Sequence, residues 1–314
     1  MQQKSRKMQV VSVLLVAFVA IGLLAGGESA DARRRRRPRP KPTPTPIPTE
    51  QPDAPFTVRY VENTTAVPSG LESQVTAECP TGTQVLGGTA SFSGPASEGQ
   101  IASSNPTPAY SAVPSQGWSA TAFNNGPDAH LLTVSATCGS GTGLSVEYVR
   151  SSSTIRATER GFAKAECPVG KQLTGGGVVQ NGAASGGQLF ISTGAPVGTT
   201  TKATGWASFV DNVSATPREV TVTAICASAP ALEVQQIKRT FDLPKFQTAT
   251  GTVDCPQGTT LLGGGAYLGL TDTMRAVISS LGSTPTHNGF LASAANRSGN
   301  GTTMLVLATC AASA

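Results

Sequence analysis

The chain has 314 residues, of which only 13% are charged, and it contains 35 glycines and 22 prolines. Such a composition favours many short strands joined by tight turns over long helices. The formal net charge is +5, but ten of the 23 lysines and arginines precede residue 42, and four of the 18 acidic residues precede residue 56. The chain from residue 56 onward is therefore almost neutral, so no nucleic-acid partner is expected for it.

The first 32 residues have the pattern of an export signal. Three basic residues precede an apolar run from Val10 to Gly26, and Ala30 and Ala32 supply small side chains at a cleavage site. The run is near the lower length limit for a membrane span, so an uncleaved anchor is the alternative. The sequence therefore predicts a signal peptide over residues 1–32 and a secreted body, or an exported body that this segment anchors in the membrane.

Residues 33–55 are predicted to form a disordered linker. Proline occupies nearly every second position from Pro38 to Pro48, and each proline fixes φ and removes a hydrogen-bond donor. An extended polyproline-II spacer is the expected conformation. The arginine cluster at its start is predicted either to attach to anionic wall polymer or lipid headgroups or to remain a solvated tail. This cluster consists of Arg33, Arg34, Arg35, Arg36 and Arg37.

The rest of the chain consists of three copies of one unit. The stretches AECPTGTQVLGGT, AECPVGKQLTGGG and VDCPQGTTLLGGG contain Cys79, Cys167 and Cys255, which are each 88 residues apart. The closing stretches LTVSATC, VTVTAIC and LVLATC repeat as well. A fixed period of this kind is the mark of tandem structural repeats. We therefore assign three β repeats, over residues 56–143, 144–231 and 232–314.

The hydrophobic pattern within each repeat is that of β-strands. In the last strand of repeat 1, Leu132, Val134, Ala136 and Cys138 alternate with Thr133, Ser135 and Thr137. This is the period of a half-buried antiparallel strand, with the second set on the open face. The sequence therefore predicts an all-β fold of three tandem antiparallel units of about 88 residues, each a small sandwich or barrel with one disulfide. Five to seven strands are expected in each unit.

The six cysteines fall at two matching positions in each repeat. An even number of cysteines in an exported chain predicts disulfides, and the repeat favours pairing within each unit among the 15 possible connectivities. Each bridge would close a loop of nearly 60 residues and contribute about 4 kcal/mol to stability. The predicted pairs are Cys79–Cys138, Cys167–Cys226 and Cys255–Cys310.

The Cys-Pro-x-Gly motif is interpreted as a structural turn. The proline restricts the backbone, and the glycine two residues later supplies a positive φ. Adjacent glycines in the strand that follows predict a bulge or close packing against a backbone or an aromatic ring. The predicted turn and packing residues are Pro80, Gly82, Gly87, Gly88, Pro168, Gly170, Gly175, Gly176, Pro256, Gly258, Gly263 and Gly264.

The sequence contains no recognisable catalytic, metal or cofactor motif. It lacks Cys-x-x-Cys, Gly-x-Ser-x-Gly and a phosphate-binding loop that leads into a helix. The two histidines, His130 and His287, do not occupy matching positions in the repeats and are interpreted as loop residues. No catalytic residue, metal ligand or cofactor is therefore predicted.

One aromatic residue recurs in each repeat, in stretches that begin GW, GW and GF. These residues are Trp118, Trp206 and Phe290, and an asparagine follows each of them after six residues. The aromatic residues are predicted to fill the cores of units that are poor in large side chains, and the alternative is a ligand-stacking role. The asparagines, Asn124, Asn212 and Asn296, are predicted to form turns at strand ends.

The motif CPxGxx[VL]xGG, followed by Trp or Phe, Asn and a closing AxC, resembles a repeat found in uncharacterised exported bacterial proteins. The three CPxG repeats are also similar, more faintly, to those of the vitelline membrane outer layer protein family. The second resemblance implies a three-sided β-prism as an alternative architecture. The first implies export but no particular activity.

These observations favour a non-enzymatic secreted or cell-surface protein. The expected role is extracellular binding or adhesion, with a glycan or cell-wall polymer as partner and with repetition raising avidity. The alternatives are a passive structural component of an envelope or matrix and, third, a secreted hydrolase.

Overall fold

The computed structural model describes residues 56–108, 115–181, 189–198, 202–230, 232–269 and 276–312. The predicted signal peptide (1–32) and linker (33–55) lie outside these residues. In the described part every regular element is a β-strand, which confirms the all-β prediction. None of the described residues belongs to a helix long and apolar enough to cross a membrane.

Each repeat contributes six strands, within the expected range of five to seven. Repeat 1 contains β1 (Thr57–Val67), β2 (Glu72–Glu78), β3 (Gln84–Phe92), β4 (Gly99–Thr107), β5 (Gly117–Asn124) and β6 (His130–Ser140). Repeat 2 contains β7 (Ser145–Ile155), β8 (Arg160–Glu166), β9 (Gln172–Gln180), β10 (Leu189–Gly198), β11 (Ala203–Asn212) and β12 (Arg218–Ser228). Repeat 3 contains β13 (Val234–Leu243), β14 (Thr248–Asp254), β15 (Thr259–Leu268), β16 (Ala276–Ser283), β17 (Gly289–Asn296) and β18 (Thr302–Ala312).

The six strands of a repeat form two antiparallel layers of three. In repeat 1 the layers are β1-β6-β3 and β2-β5-β4, and the corresponding strands of repeats 2 and 3 are arranged in the same order. Trp118 of β5 packs against Gly88 of β3, so the two layers face each other across a core. Each repeat is therefore a small two-layered unit, as the repeat pattern predicts.

Neighbouring repeats join at the edges of their layers. Strand β4 pairs with β9 at Ser104 and Val178, and β10 pairs with β15 at Thr193 and Tyr267. Strand β16 pairs with β3, which connects repeat 3 back to repeat 1 and closes a ring. The result is three six-stranded sheets, each shared by two repeats. We call them the 1/2 sheet, the 2/3 sheet and the 3/1 sheet after the repeats that share them.

The three disulfides join the two layers within each repeat. The bonded pairs are Cys79–Cys138, Cys167–Cys226 and Cys255–Cys310, the pairing that the repeat predicts. In repeat 1, for example, one cysteine follows β2 and the other lies in β6. Because the two layers of a repeat belong to different sheets, every disulfide also ties two of the three sheets together.

The Cys-Pro-x-Gly motif forms a tight turn between the second and third strands of each repeat. In repeat 1 the amide of Thr83 donates to the carbonyl of Pro80 at 3.1 Å, and Gly82 has a φ of 85°. Gly170 and Gly258 have the same left-handed backbone, which L residues rarely adopt. The predicted structural turn is therefore present in all three repeats.

The first glycines of the Gly-Gly pairs meet at the centre of the ring. A Cβ on Gly87 would lie 2.2 Å from the carbonyl oxygen of Leu262, and a Cβ on Gly175 would lie 2.8 Å from that of Leu86. Gly263 completes the set, with its nearest backbone neighbour at 3.5 Å. Glycine is required here because the backbones of the three repeats approach one another directly.

The second glycines lie under the recurring aromatic rings. A Cβ on these glycines would come within 2.4 Å of a ring atom, in the pairs Gly88–Trp118, Gly176–Trp206 and Gly264–Phe290. The aromatic side chains are no more than 2% exposed. The core interpretation of Trp118, Trp206 and Phe290 therefore holds, and the alternative ligand-stacking role is wrong, because an external ligand has no access to these rings.

The recurring asparagines form a buried clamp at the end of the fifth strand. Asn124 Nδ2 donates to the carbonyls of Val67 and Asp128, at 3.0 and 2.7 Å, and its Oδ1 accepts from the amide of Gly126 at 2.8 Å. Asn212 and Asn296 make the corresponding bonds in repeats 2 and 3. These contacts account for the predicted asparagine turns.

The indole N–H groups of the two buried tryptophans differ in their hydrogen bonding. Trp118 Nε1 donates to Ser104 Oγ at 2.9 Å. Trp206 Nε1 is buried and has no hydrogen-bond partner in the described part of the chain. The difference arises because Gly194 occupies in β10 the position that Ser104 occupies in β4.

Replacing Gly194 with serine is expected to raise the free energy of unfolding by about 1 kcal/mol, because a buried donor gains its acceptor. A Cβ at this glycine would lie 4.0 Å from Trp206 Nε1 and no closer than 3.8 Å to any other atom, so the side chain fits. Chemical denaturation measures the change. The reverse substitution in repeat 1, Ser104→Gly, is the matched control and is expected to lower stability. Equal stability of Gly194→Ser and the parent protein would contradict this explanation.

Candidate functional site

The repeats offer a direct way to look for a functional site, because a position that serves binding need not be the same in all three. The described residues contain no group of three or more His, Cys, Asp or Glu side chains that could hold a metal ion. His287 lies in a turn, whereas His130 begins β6, where a loop was predicted. The exposed faces of the three sheets differ at equivalent positions.

The outer face of the 2/3 sheet carries a row of aromatic side chains. Phe162 on β8 is opposite Phe209 on β11, and Phe209 is opposite Thr193 on β10. Thr193 is opposite Tyr267 on β15, and Tyr267 is opposite Leu305 on β18. We call Phe162, Phe209 and Tyr267 the aromatic row. It crosses the line where repeats 2 and 3 meet.

The three rings of the aromatic row are in contact and partly open to solvent. The ring centroids of Phe162 and Phe209 are 4.8 Å apart, and those of Phe209 and Tyr267 are 6.3 Å apart in an edge-to-face arrangement. Phe162 is 45% exposed, and the other two are half-buried. Contacting aromatic rings on an open sheet face form an exposed apolar surface, which is typical of interaction sites.

The corresponding rows on the other two sheets are mainly polar. On the 3/1 sheet the same positions, read from the third repeat to the first, are Thr250, Ser293, Ser280, Ser91 and Thr133. On the 1/2 sheet they include Gln74, Thr121 and Ser103 on one side and Val179 and Thr221 on the other. The fold therefore does not require aromatic residues at these positions.

An ion pair fixes the two strands that carry the phenylalanines. Arg160 Nε donates to Asp211 Oδ1 at 2.6 Å, and a second nitrogen donates to Oδ2 at 2.9 Å. The carboxylate of Asp211 is fully buried. These residues are opposite each other on β8 and β11, two positions from Phe162 and Phe209 and on the same face. A bidentate pair has a defined geometry, so it holds the adjacent rings in place.

Two of the three junctions between repeats are filled by a tyrosine. Tyr60 on β1 donates its hydroxyl to the carbonyl of Leu261 in repeat 3 at 2.6 Å, and its ring stacks on His287 with centroids 4.1 Å apart. Tyr148 on β7 donates in the same way to the carbonyl of Val85 in repeat 1 at 3.0 Å. Burial raises the pKa of Tyr60 to about 12, and it raises the pKa of Tyr148 as well.

These buried phenols are expected to make stability fall in alkaline solution. The folded chain holds the Tyr60 proton more tightly than the unfolded chain, whose phenol has a pKa of 10.0. The stabilisation is therefore complete below pH 10 and is lost as the pH rises through about 12. Unfolding free energies measured from pH 8 to 12 should fall less steeply in Tyr60→Phe than in the parent. Parallel curves for the two proteins would contradict this assignment.

The third junction lacks the tyrosine. Gln236 on β13 occupies the position of Tyr60 on β1 and Tyr148 on β7, as the register of each strand with its central neighbour shows. A cleft of about 290 Å³ lies beside it. We call this the junction cleft. The residues that line it include Pro196, Val197, Gln236, Lys238, Leu305 and Leu307.

A second cleft, of about 420 Å³, lies beside the Cys-Pro-x-Gly turn of repeat 1. Its walls come mainly from the turn itself, including Pro80 and Gly82, together with Gln84 and Gln116. The turn is a structural element of every repeat. This cleft is therefore built mainly from a motif that all three repeats share, unlike the aromatic row of the 2/3 sheet.

The fold and these surfaces define a class of protein: a three-repeat, disulfide-linked all-β protein whose repeats close into a ring. No protein-family model matches the chain. No curated protein has a significantly similar sequence.

Sequence reasoning identified the residues that the repeats share and missed those in which they differ. Phe162, Phe209 and Tyr267 are absent from the predicted site residues, and so is Gln236. An alignment of the three repeats could have found these residues. At three positions one repeat has an aromatic residue where the other two do not, and at the fourth one repeat has glutamine where the other two have tyrosine. The shared residues proved structural, because what recurs three times serves the common core.

Proposed function

We propose that the protein is a secreted or surface-exposed, non-enzymatic binding protein that recognises a glycan through the aromatic row of the 2/3 sheet. The observation that carries the proposal is a row of three contacting, partly exposed aromatic rings at positions where the other two sheets carry polar or aliphatic side chains within the described part of the chain. Three disulfides indicate maturation in an oxidising compartment, which supports an extracellular location.

The chemistry of the row suits a sugar. The apolar C–H face of a pyranose ring packs on an aromatic face, while its hydroxyl groups remain available to solvent and to polar neighbours. Thr193 lies opposite both Phe209 and Tyr267 but is only 2% exposed, so the rings and not this hydroxyl are the accessible part of the row. We place this site on one sheet and not on three, so the repeats act as a rigid frame and not as three equal sites that raise avidity.

Retention on polysaccharides tests the proposal. Residues 33–314 are mixed with insoluble peptidoglycan, chitin and cellulose and with a soluble glycan array, and the bound fraction is measured. In the test variant each ring is replaced by the residue type of the 3/1 sheet, as Phe162→Thr, Phe209→Ser and Tyr267→Ser. At least a tenfold loss of affinity is expected, since stacking contributes about 0.5–1.5 kcal/mol per aromatic contact.

The control for this experiment is Phe246→Ser. Phe246 is 70% exposed but lies outside the row, in the turn between β13 and β14. It is expected to leave binding unchanged. Equal binding by the triple variant and the parent would contradict the proposal, and a failure of the parent to bind any glycan would favour the passive structural role instead.

The arginine cluster supports a separate attachment step. Arg33–Arg37 lie outside the described residues, and we propose that they hold the protein on an anionic wall polymer or lipid surface. Replacing all five with glutamine is expected to release the protein from intact cells, and raising the salt concentration should do the same, because such contacts are screened. Retention that is insensitive to both changes would contradict this step.

A further inference from the structure

The junction cleft carries one positively charged side chain among its described residues. Lys238 lines it, and none of the described residues that line it carries a carboxylate. Within the described part of the chain, Lys238 takes part in none of the ion pairs. The chain from residue 56 onward is almost neutral, so an unpaired ammonium beside a concave surface is a local anion-binding feature.

The other walls of the cleft suit a polar ligand with one apolar face. Gln236 provides an amide that both donates and accepts hydrogen bonds. Val197, Leu305 and Leu307 provide apolar surface. A volume of about 290 Å³ is at the lower end of the range for small-molecule sites, which begins at about 300 Å³. The cleft therefore has room for a group of the size of one sugar ring.

The cleft and the aromatic row form a continuous surface. Leu305 lines the cleft, and the same residue is opposite Tyr267, the last ring of the row. From Leu305 on β18 to Phe162 on β8 the surface crosses four strand spacings, or about 19 Å. A ligand that contacts both ends is longer than a monosaccharide.

We infer that the 2/3 sheet binds an acidic polysaccharide: neutral faces of its rings lie on the aromatic row, and a carboxylate or phosphate of the same chain enters the junction cleft and pairs with Lys238. This inference rests on the proposed function and names its ligand class. Gln236 is the residue that makes it possible, because a tyrosine at this position fills the other two junctions.

Matched polymers test the charge. Residues 33–314 are titrated with polygalacturonate and with its fully methyl-esterified form, and separately with a phosphomannan and the same mannan after removal of phosphate. The parent is expected to bind the acidic form of at least one pair about tenfold more tightly, the effect of one charge-assisted hydrogen bond. Lys238→Gln should reduce this ratio to near one. The polymer whose acidic form is preferred shows whether the cleft binds a carboxylate or a phosphate.

A second variant fills the cleft without removing the charge. Gln236→Tyr places in repeat 3 the residue that already packs in repeats 1 and 2, so it is expected to fold and to raise the melting temperature. It should lower affinity for the acidic polymer at least about tenfold by occupying the site. The controls are Gln235→Tyr and Arg239→Gln, whose side chains lie on the opposite face of β13 because strand side chains alternate. Both are expected to bind as the parent does.

The outcomes separate the inference from the proposed function. If Lys238→Gln and Gln236→Tyr keep the parent's preference for acidic polymer while the aromatic triple variant loses binding to acidic and neutral forms alike, the inference is wrong and the proposed function stands. If the parent binds none of these four polymers, the inference is wrong, and the proposed function is then decided by the measurements on peptidoglycan, chitin, cellulose and the glycan array. If both cleft variants lose only the preference for the acidic form, the inference is supported.

Discussion

Gly87→Ala is expected to destabilise the protein by about 3 kcal/mol, the upper range for overpacking a well-packed interior. The new methyl group would lie 2.2 Å from the carbonyl oxygen of Leu262, which is backbone and belongs to another repeat. Relief would require the repeats to move apart at the centre of the ring, where all three meet. Chemical denaturation of the purified variant measures the loss.

The other two central glycines provide a graded control. The corresponding distance is 2.8 Å for Gly175 and 3.5 Å for Gly263, the latter an ordinary contact. The expected order of destabilisation by alanine is therefore Gly87, then Gly175, then Gly263, with the last close to neutral. Three equal losses would show that the effect comes from the strand and not from the approach of the repeats, and would contradict the ring arrangement.

Removing one disulfide by replacing both cysteines with alanine is expected to lower the free energy of unfolding by about 4 kcal/mol. The bridges span 59, 59 and 55 residues, so each closes a long loop in the unfolded chain. The units have few large side chains to compensate, because their strands are rich in alanine, valine, serine and threonine. Denaturation of the three double variants under non-reducing conditions measures the loss.

The three disulfide variants are also controls for one another. Loop-closure entropy changes slowly with length, so Cys79→Ala/Cys138→Ala and Cys255→Ala/Cys310→Ala should lose nearly the same stability. A large effect in one repeat with almost none in another would contradict the entropic account and would point to unequal roles for the repeats in folding.

Much of the fold could be predicted from the sequence because each structural element occurs three times, so a pattern in one repeat can be checked in the other two. The disulfide pairing, the turn after Pro80 and the clamp at Asn124 each rest on a local motif that occurs three times. Two-residue periodicity marked the strands. The prediction was less accurate for Ser135 and Thr137, which were expected to lie on an open face but are buried. Both residues lie on β6, between β1 and β3 in the 3/1 sheet, and the strands on either side limit their exposure.

The joining of sheets between repeats could not be read from the sequence. Strand β16 meets β3 through the pairs Ser280–Ser91 and Leu281–Ala90, whose members are 189 and 191 residues apart in the chain. Small residues such as serine, alanine and leucine do not indicate which distant strand will be their neighbour in the sheet. The adjacent glycines did predict close packing, but whether against a ring or a backbone was open. The structure shows that the first glycine of each pair packs against the backbone of another repeat and the second packs against an aromatic ring.

The candidate site was missed for a different physical reason. Periodicity and motif searches detect what is constant, and constancy in a repeat protein reflects the shared core. Phe162, Phe209 and Tyr267 do not recur at the equivalent positions of the other repeats. They come together only because β8, β11 and β15, from two repeats, belong to one sheet. Without that topology they are three isolated aromatic residues.

We propose that recognition resides on the 2/3 sheet and not on its two equivalents. Hydroxyl-radical footprinting of residues 33–314, with and without the soluble polysaccharide that binds most tightly, tests it directly because phenylalanine and tyrosine side chains react readily. Phe162, Phe209 and Tyr267 are expected to become protected by the polymer, while the exposed Phe246 keeps its reactivity. Protection of Phe246 or of side chains on the 1/2 or 3/1 sheets, with the aromatic row unchanged, would contradict the account.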